Sequence, residues 1–345
     1  MPDIAIPALE AFCSDVLTGA GVPEDDAAII VASITYAHAT GKGTHGASRL
    51  PIYVNRIEAG LMQAVTPLTE LSAAPAMALL DAGDGFGQVA AIRGMDRAVA
   101  MARETGIGMV GIRHSHNFGT GAFVAAHGVA QGMATQIFAN AAPAIAPTGG
   151  SKAIFGTNPI SWGFPTPEGY PPIVLDMATS QVARGKIRMA ALTGEAIPLG
   201  WALDARGDPT TDAEAALEGS MLPVGGAKGY GLSVVVDIMA GLMTRSASGG
   251  QAKNLNSPHG PSCCGHMLLS IDLERFLPRM EYDAQMTALI TATKAAGPKD
   301  GVFLPGERSA RYMTGREGTV PLSDAILSKL DTLASQRGVA PLARG

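Results

Sequence analysis

The stretch Gly83-Asp84-Gly85-Phe86-Gly87-Gln88 decides the fold class. It follows a short apolar run, Met77–Asp81, that reads as a strand, and it opens a strongly periodic helix ending near Gly106. A glycine turn between strand and helix invites a dinucleotide-binding reading, with pyrophosphate resting on the helix N-terminus. The spacing refuses it. The fingerprint needs a glycine where Gln88 stands, and no acidic residue closes a following strand about 20 residues on. The segment is read as a plain strand-to-helix turn.

Outward from that turn, Gly108–Ile112, Ala134–Ala139, Pro172–Leu175 and Met267–Ile271 read as further strands. Pro7 to Thr40 reads as two helices broken at Gly19–Pro23. The second opens on Glu24, Asp25 and Asp26, acidic residues that the helix dipole favours in a first turn. Tyr282–Ala296 and Ser323–Arg337 read as closing helices, and residues 244–262, rich in Gly, Ser and Pro, as a long loop. The class is mixed α/β. The chain ends, 1–72 with 280–345, are expected to form one helical unit and the strand-rich middle, 73–279, another.

Of the 345 residues 47% are apolar and only 16% charged, which excludes disorder and predicts an obligate oligomer to cover the apolar surface. A net charge of −5 leaves no basic stripe for nucleic acid. Cys13, Cys263 and Cys264 form neither a disulfide framework nor a CxxC zinc pair. Met1-Pro2-Asp3-Ile4 lacks the pattern of a signal peptide, and the apolar stretch Phe123–Pro147 is too interrupted to span a membrane. A cytoplasmic protein is expected.

Chemistry concentrates in Gly43-Thr44-His45-Gly46-Ala47-Ser48-Arg49. On one helix from His45 to Ile57, His45, Arg49 and Tyr53 at i, i+4 and i+8 would share a face. Histidine exchanges protons near neutrality, and the guanidinium fork suits a carboxylate, so the pair fits a small organic acid. The plainer reading is a packed histidine beside a solvated arginine. Four glycine clusters, 83–87, 119–121, 149–150 and 225–231, could meet a phosphate. The last lacks the nucleotide-triphosphatase spacing but carries Lys228 and opens the apolar run Leu232–Leu242, predicted to be a buried helix. His114 and His116 have no third ligand at metal spacing, so no metal is expected.

Taken together the chain resembles the malate/L-lactate dehydrogenase family, which is unrelated to the Rossmann-type lactate and malate enzymes. That family also contains sulfolactate, ureidoglycolate and diketogulonate oxidoreductases and reductases of piperideine-2-carboxylate and pyrroline-2-carboxylate. The resemblance runs from about residue 10 to 335. It is carried by Thr44-His45-Gly46-x-x-Arg49, Ala146-Pro147-x-Gly149-Gly150, Phe155-Gly156-Thr157-Asn158-Pro159, Asp176-Met177-Ala178-Thr179-Ser180, Ala183-Arg184-Gly185-Lys186, Gly226-Ala227-Lys228-Gly229 and Leu304-Pro305-Gly306-Glu307-Arg308.

The resemblance implies an NAD- or NADP-dependent oxidoreductase on a family-specific non-Rossmann fold with a largely antiparallel central sheet. The sheet unit holds the dinucleotide, while helices from both chain ends carry the substrate site and the contact of a tight homodimer. By position, His45 with Thr44 is the acid/base pair, with His116 as a second candidate. Arg49, with Thr157, meets the substrate carboxylate; Tyr53 joins the expected substrate-binding residues through its helical spacing alone. Asn117, Phe118, Gly119, Thr120, Gly121, Asp176, Met177, Ala178, Lys186, Ala227, Lys228, Gly306, Glu307 and Arg308 match cofactor positions. Two departures stand out: Asn117 occupies the place of a histidine often assigned to acid/base work, and Lys186 replaces the aspartate of the cyclic-imine reductases. The second favours interconversion of a small 2-oxo acid and its 2-hydroxy acid, with reduction of cyclic 2-imino acids as the alternative. A member that binds nucleotide or metabolite without turnover is the reading from a different class.

Overall fold

The structure, a computed structural model, describes residues 1–298, 301–316 and 318–344. In chain order these form β1 (Asp3–Ala5), α1 (Ile6–Gly19), α2 (Glu24–Ala39), α3 (Leu50–Glu58), β2 (Thr69–Ala74), β3 (Met77–Asp81), α4 (Gly87–Thr105), β4 (Ile107–Ser115), α5 (Gly121–Val129), β5 (Ala134–Ala139), β6 (Ile160–Phe164), β7 (Ile173–Met177), α6 (Arg184–Thr193), β8 (Ala202–Leu203), β9 (Pro209–Thr210), α7 (Ala213–Glu218), β10 (Ser220–Met221), α8 (Ala227–Val236), β11 (Cys264–Ile271), α9 (Arg279–Ala295), α10 (Glu307–Thr314), β12 (Thr319–Pro321) and α11 (Asp324–Arg337).

Seven strands make the central sheet in the order β2-β3-β4-β11-β5-β6-β7. Only β3 and β4 pair in parallel; the other pairs are antiparallel. That one parallel pair accounts for the ambiguity of the 83–88 turn. Parallel neighbours need a crossover, and α4 supplies it, so the local sequence imitates a dinucleotide-binding unit inside an otherwise antiparallel sheet. Val110, Ile112, Ile137 and Leu268 of the central strands are buried in a core shared with α4 and α5.

A second core draws on both chain ends. Leu9, Leu17, Ile30, Ile34 and Leu50 pack with Leu327, Leu330 and Leu333. The ends are also stitched by a two-stranded pairing in which Ile4 faces Val320. Helix α9 departs from the expected helical unit: Tyr282 donates to the Pro165 carbonyl at 2.9 Å, which seats it beyond β6 instead.

Other expectations change in detail. The single helix expected from His45 is two 3₁₀ turns, Gly43–His45 and Ala47–Arg49, interrupted at Gly46 before α3 begins. The apolar run after Lys228 is helical but not buried all round. α8 continues into a π-helical turn, Asp237–Leu242, and Leu232, Val235, Ile238 and Leu242 are exposed along it. A small sheet, β10-β8-β9, and the strands β2 and β6 were not legible in the pattern.

Candidate active site

The turn that carries His45 rests on the last turn of α2. The chain reverses after Ala39, with the Lys42 N–H on the Ala37 carbonyl at 2.7 Å. Beneath it lies the buried ring of His38, whose Nε2 accepts the Ala47 N–H at 2.9 Å. Burial pushes the His38 pKa down to about 4, so the ring is neutral and able to accept that bond near neutrality. Gly46 lies directly on it: a Cβ built there would sit 2.3 Å from two ring atoms. A glycine is therefore required by contact with the histidine below.

On the outer side of the turn, Thr44 Oγ1 lies 3.2 Å from His45 Nδ1. Arg49 Nε donates to the Thr44 carbonyl at 2.9 Å, which leaves the two terminal nitrogens of its fork to meet an anion. Lys42 Nζ pairs with Asp176 Oδ2 at 3.1 Å. Asp176, on β7, also accepts from Ser161 Oγ at 2.8 Å and from the Ala122 N–H at 3.1 Å. His45 thus has two cations and one carboxylate around it. Its pKa falls to about 4, through burial first and then Arg49; Asp176 opposes the fall and Lys42 adds to it. The ring is neutral near pH 7 in this state, its pKa well below the ordinary histidine value.

Two expected site residues are wholly buried. Tyr53 is wholly buried in the helical core, and its hydroxyl accepts from Gln88 Nε2 at 2.8 Å, so no face of it is open to a substrate. The break at Gly46 takes His45 off the helical face assumed for it; Tyr53 stays one turn from Arg49, whose charge still acts on it, but points into the core. His116 is also wholly buried, with Nδ1 3.0 Å from Ser262 Oγ. Burial and then Arg56 push its pKa down to about 3; none of Lys42, Arg49 or Asp176 contributes. It belongs to the support of the 244–262 loop and not to the His45 cluster. Thr157 is half-buried, and its carbonyl takes both the N–H and the hydroxyl of Thr179 at 2.8 and 3.0 Å, which joins it to the Asp176–Ser180 segment.

The expected cofactor residues divide by what they have left to offer. In the 117–121 loop, Asn117 Oδ1 accepts from the Gly119 N–H at 3.0 Å, and Phe118 is buried edge-on against His266. Thr120 is buried beside them with an unpartnered hydroxyl among the described residues. Gly121 is packed so that a Cβ would meet Ser161 Oγ at 1.9 Å. Since Asp176 already takes the Ala122 N–H, the start of α5 is committed to an internal carboxylate. Met177 and Ala178 follow, half-buried.

At α8 the position is open. Gly225 and Gly226 both have positive φ with free space around them, and Ala227 and Lys228 are exposed where a helix leaves its first N–H groups unpaired. The Val224 N–H on the Thr179 carbonyl, at 2.9 Å, ties this end to the Asp176–Ser180 segment. Lys186 is exposed at the start of α6, next to Gly185, whose Cβ would approach Thr44 to 3.9 Å.

A cavity of about 620 Å³ lies along the edge strand β7, lined by Leu175, Phe303, Leu304, Gly306 and Arg308 among others. Gly306 packs against the Val174 backbone, and the Arg308 guanidinium stacks 4.7 Å from the Phe303 ring centre. Glu307 is spent within the protein: it bonds Lys294, Arg311 and the Leu304 N–H, and the Lys294 bond holds its carboxyl below the usual range. An apolar cavity with an arginine at its wall, together with an open, lysine-bearing helix start, fits a dinucleotide's base and phosphates. Sequence reasoning missed His38, Lys42 and Ser161. Lys42 had a signal, since it lies between Gly41 and Gly43 three residues before His45.

Known proteins agree with this architecture. The sequence pattern of the malate/L-lactate dehydrogenase family matches residues 4–331. The L-sulfolactate dehydrogenase of Methanothermobacter thermautotrophicus is 36% identical over 93% of this chain and 93% of its own. The Δ1-pyrroline-2-carboxylate reductase of Ancylobacter novellus is 34% identical over 96% of this chain and 97% of its own. The solved malate dehydrogenase of Pyrococcus horikoshii superposes with a TM-score of 0.89 at 32% identity, covering 99% of this chain and 97% of that one. This chain belongs to the malate/L-lactate dehydrogenase family.

Proposed function

We propose that this chain is a nicotinamide-dependent oxidoreductase that interconverts a small 2-oxo acid and its 2-hydroxy acid. One observation carries the reading: His45, oriented by Thr44, sits in the charge field of Arg49, Lys42 and Asp176. When bound, a nicotinamide supplies hydride exchange at the substrate carbon. Lys228 and the start of α8 would hold its phosphates, and the Leu175–Phe303–Arg308 cavity its adenosine end.

Arg49 holds the substrate carboxylate through its terminal nitrogens, which fixes the neighbouring carbonyl in place. His45 Nδ1 faces Thr44, so Nε2 is the nitrogen that gives a proton to the carbonyl oxygen in reduction and takes it back in oxidation. The lowered pKa suits the neutral ring to the oxidative direction. A carboxylate at Arg49 adds negative charge beside the ring and raises its proton affinity, so reduction gains its proton as the 2-oxo acid binds.

The same constellation serves a C=N bond beside a carboxylate, a second reading favoured by the likeness to a pyrroline-2-carboxylate reductase. The cofactor is NAD or NADP. The exposed Leu232, Val235, Ile238 and Leu242 suit the buried face of a homodimer, and the three free thiols suit the reducing cytoplasm.

The test is nicotinamide absorbance with NADH and NADPH against 2-oxo acids and cyclic 2-imino acids, for wild type and His45→Gln. Turnover of 2-oxo acids that falls about a hundredfold or more in His45→Gln supports the reading. Turnover of cyclic imines alone would transfer it to the second. Binding without turnover of either would leave a metabolite-binding protein.

A further inference from the structure

We propose that Lys42 is a positioning residue for proton transfer, its ion pair with Asp176 acting as a strut that fixes the His45 turn to the central sheet. The inference rests on the reading of His45 as proton donor. His45 stands on a turn that belongs to the chain-end helices, whereas the residues assigned to the dinucleotide stand on the sheet and its appended segments. A proton donor must keep its distance from the carbonyl oxygen it protonates to within about an ångström, so something must set the spacing between the two parts.

Lys42 can do this. It lies three residues before His45 with its own N–H locked onto α2, and its Nζ reaches across to Asp176 on β7 at 3.1 Å. The receiving end is rigid. Asp176 is held by the Ser161 hydroxyl on one oxygen and by the Ala122 N–H on the other, and its side chain is only 13% exposed. An ion pair with one end immobilised and partly buried holds geometry far better than a surface pair between two free side chains.

The same strut sets the charge around the ring. The groups facing His45 are Arg49 and Lys42 from its own segment and Asp176 from β7; Tyr36 of α2 stands beside Asp176, and the start of α6 with Lys186 lies against Thr44. Removing the Lys42 cation leaves the Asp176 carboxylate unopposed, which raises the proton affinity of His45. Removing the Asp176 charge lowers it. A residue that only stabilised the fold would not move the ring's titration in opposite directions from its two ends.

The experiment compares Lys42→Met, Lys42→Arg, Asp176→Asn and His45→Gln by steady-state kinetics and by NMR titration of the His45 ring in the cofactor-free protein, with thermal unfolding as the check on folding. The His45 resonance is assigned by its loss in His45→Gln. The proposal expects kcat of Lys42→Met to fall about tenfold to a hundredfold with little change in the KM for dinucleotide. It also expects a His45 midpoint moved to higher pH, near-complete rescue by Lys42→Arg, and a midpoint moved to lower pH in Asp176→Asn. Wild-type kcat and an unmoved His45 midpoint in folded Lys42→Met overturn it. If His45→Gln itself keeps wild-type turnover, the proton-donor reading fails; if His45→Gln is inactive while Lys42→Met is normal, only the strut fails.

Discussion

Replacing Gly46 by alanine probes the seat of the turn that carries His45, the proposed proton donor. The glycine has φ −95°, a value open to any residue, so backbone strain plays no part. The obstacle is the His38 ring, 2.3 Å from the new methyl at both Cδ2 and Nε2, where ordinary contact needs about 3.5 Å or more. The ring must therefore retreat by about an ångström, yet it is only 4% exposed. Overpacking of this kind costs about 1–3 kcal/mol. Retreat also pulls Nε2 from the Ala47 N–H, and an unsatisfied buried donor adds about 1–3 kcal/mol. The sum, about 2–6 kcal/mol, should lower Tm by several degrees. Since His45 is the next residue, the same shift should cost about a hundredfold in kcat. Thermal unfolding and steady-state kinetics measure both. The double variant His38→Ala/Gly46→Ala removes the obstacle, so its loss should be smaller than the sum of the two single losses by about 1 kcal/mol or more. A Gly46→Ala protein with wild-type Tm and kcat would refute the clash.

Lys228→Ala should weaken dinucleotide binding about tenfold or more, the worth of one charged phosphate contact, in a titration of intrinsic fluorescence; an unchanged Kd for both dinucleotides would make the 225–231 turn merely structural. His38, His116 and His266 have pKa values lowered by burial to about 4, 3 and 4, so between these values and about 6.5 the unfolded chain takes up protons that the folded one refuses. Stability to urea should be level above about pH 6.5 and fall as pH drops from there towards 4, by up to about 1.4 kcal/mol per pH unit for each ring, and a flat profile over that window would contradict the assignment. Binding of oxamate, an unreactive 2-oxo acid mimic, should take up protons at His45, seen by calorimetry as a binding heat that depends on the buffer's ionisation heat; the same heat in all buffers counts against coupling through Arg49.

How far the sequence could be read depended on whether a signal was local. The α2, α4 and α11 helices and the strands β3, β4 and β5 carry their own periodicity, so they were legible. The sheet order was not, because β11 enters between β4 and β5 from more than a hundred residues downstream and no local pattern encodes that partner. His45, Thr44 and Arg49 stand out by residue type and spacing, and the structure brings them together, though on two 3₁₀ turns and not on the expected helix. Helical spacing cannot reveal that Gly46 is pressed on His38, a contact made only once the chain has reversed after α2. Tyr53 and His116 were chosen for chemistry that burial then denies them, and burial is a tertiary property. Lys42 shows the converse. Its place between two glycines, three residues before His45, is a local signal, but one that names no partner for the charge. Its partner is Asp176, 134 positions away, whose carboxylate is also held by the Ser161 hydroxyl and the Ala122 N–H. The proton chemistry proposed for this site would therefore be set across the boundary between the chain-end helices and the sheet, by a pair that only the fold brings together.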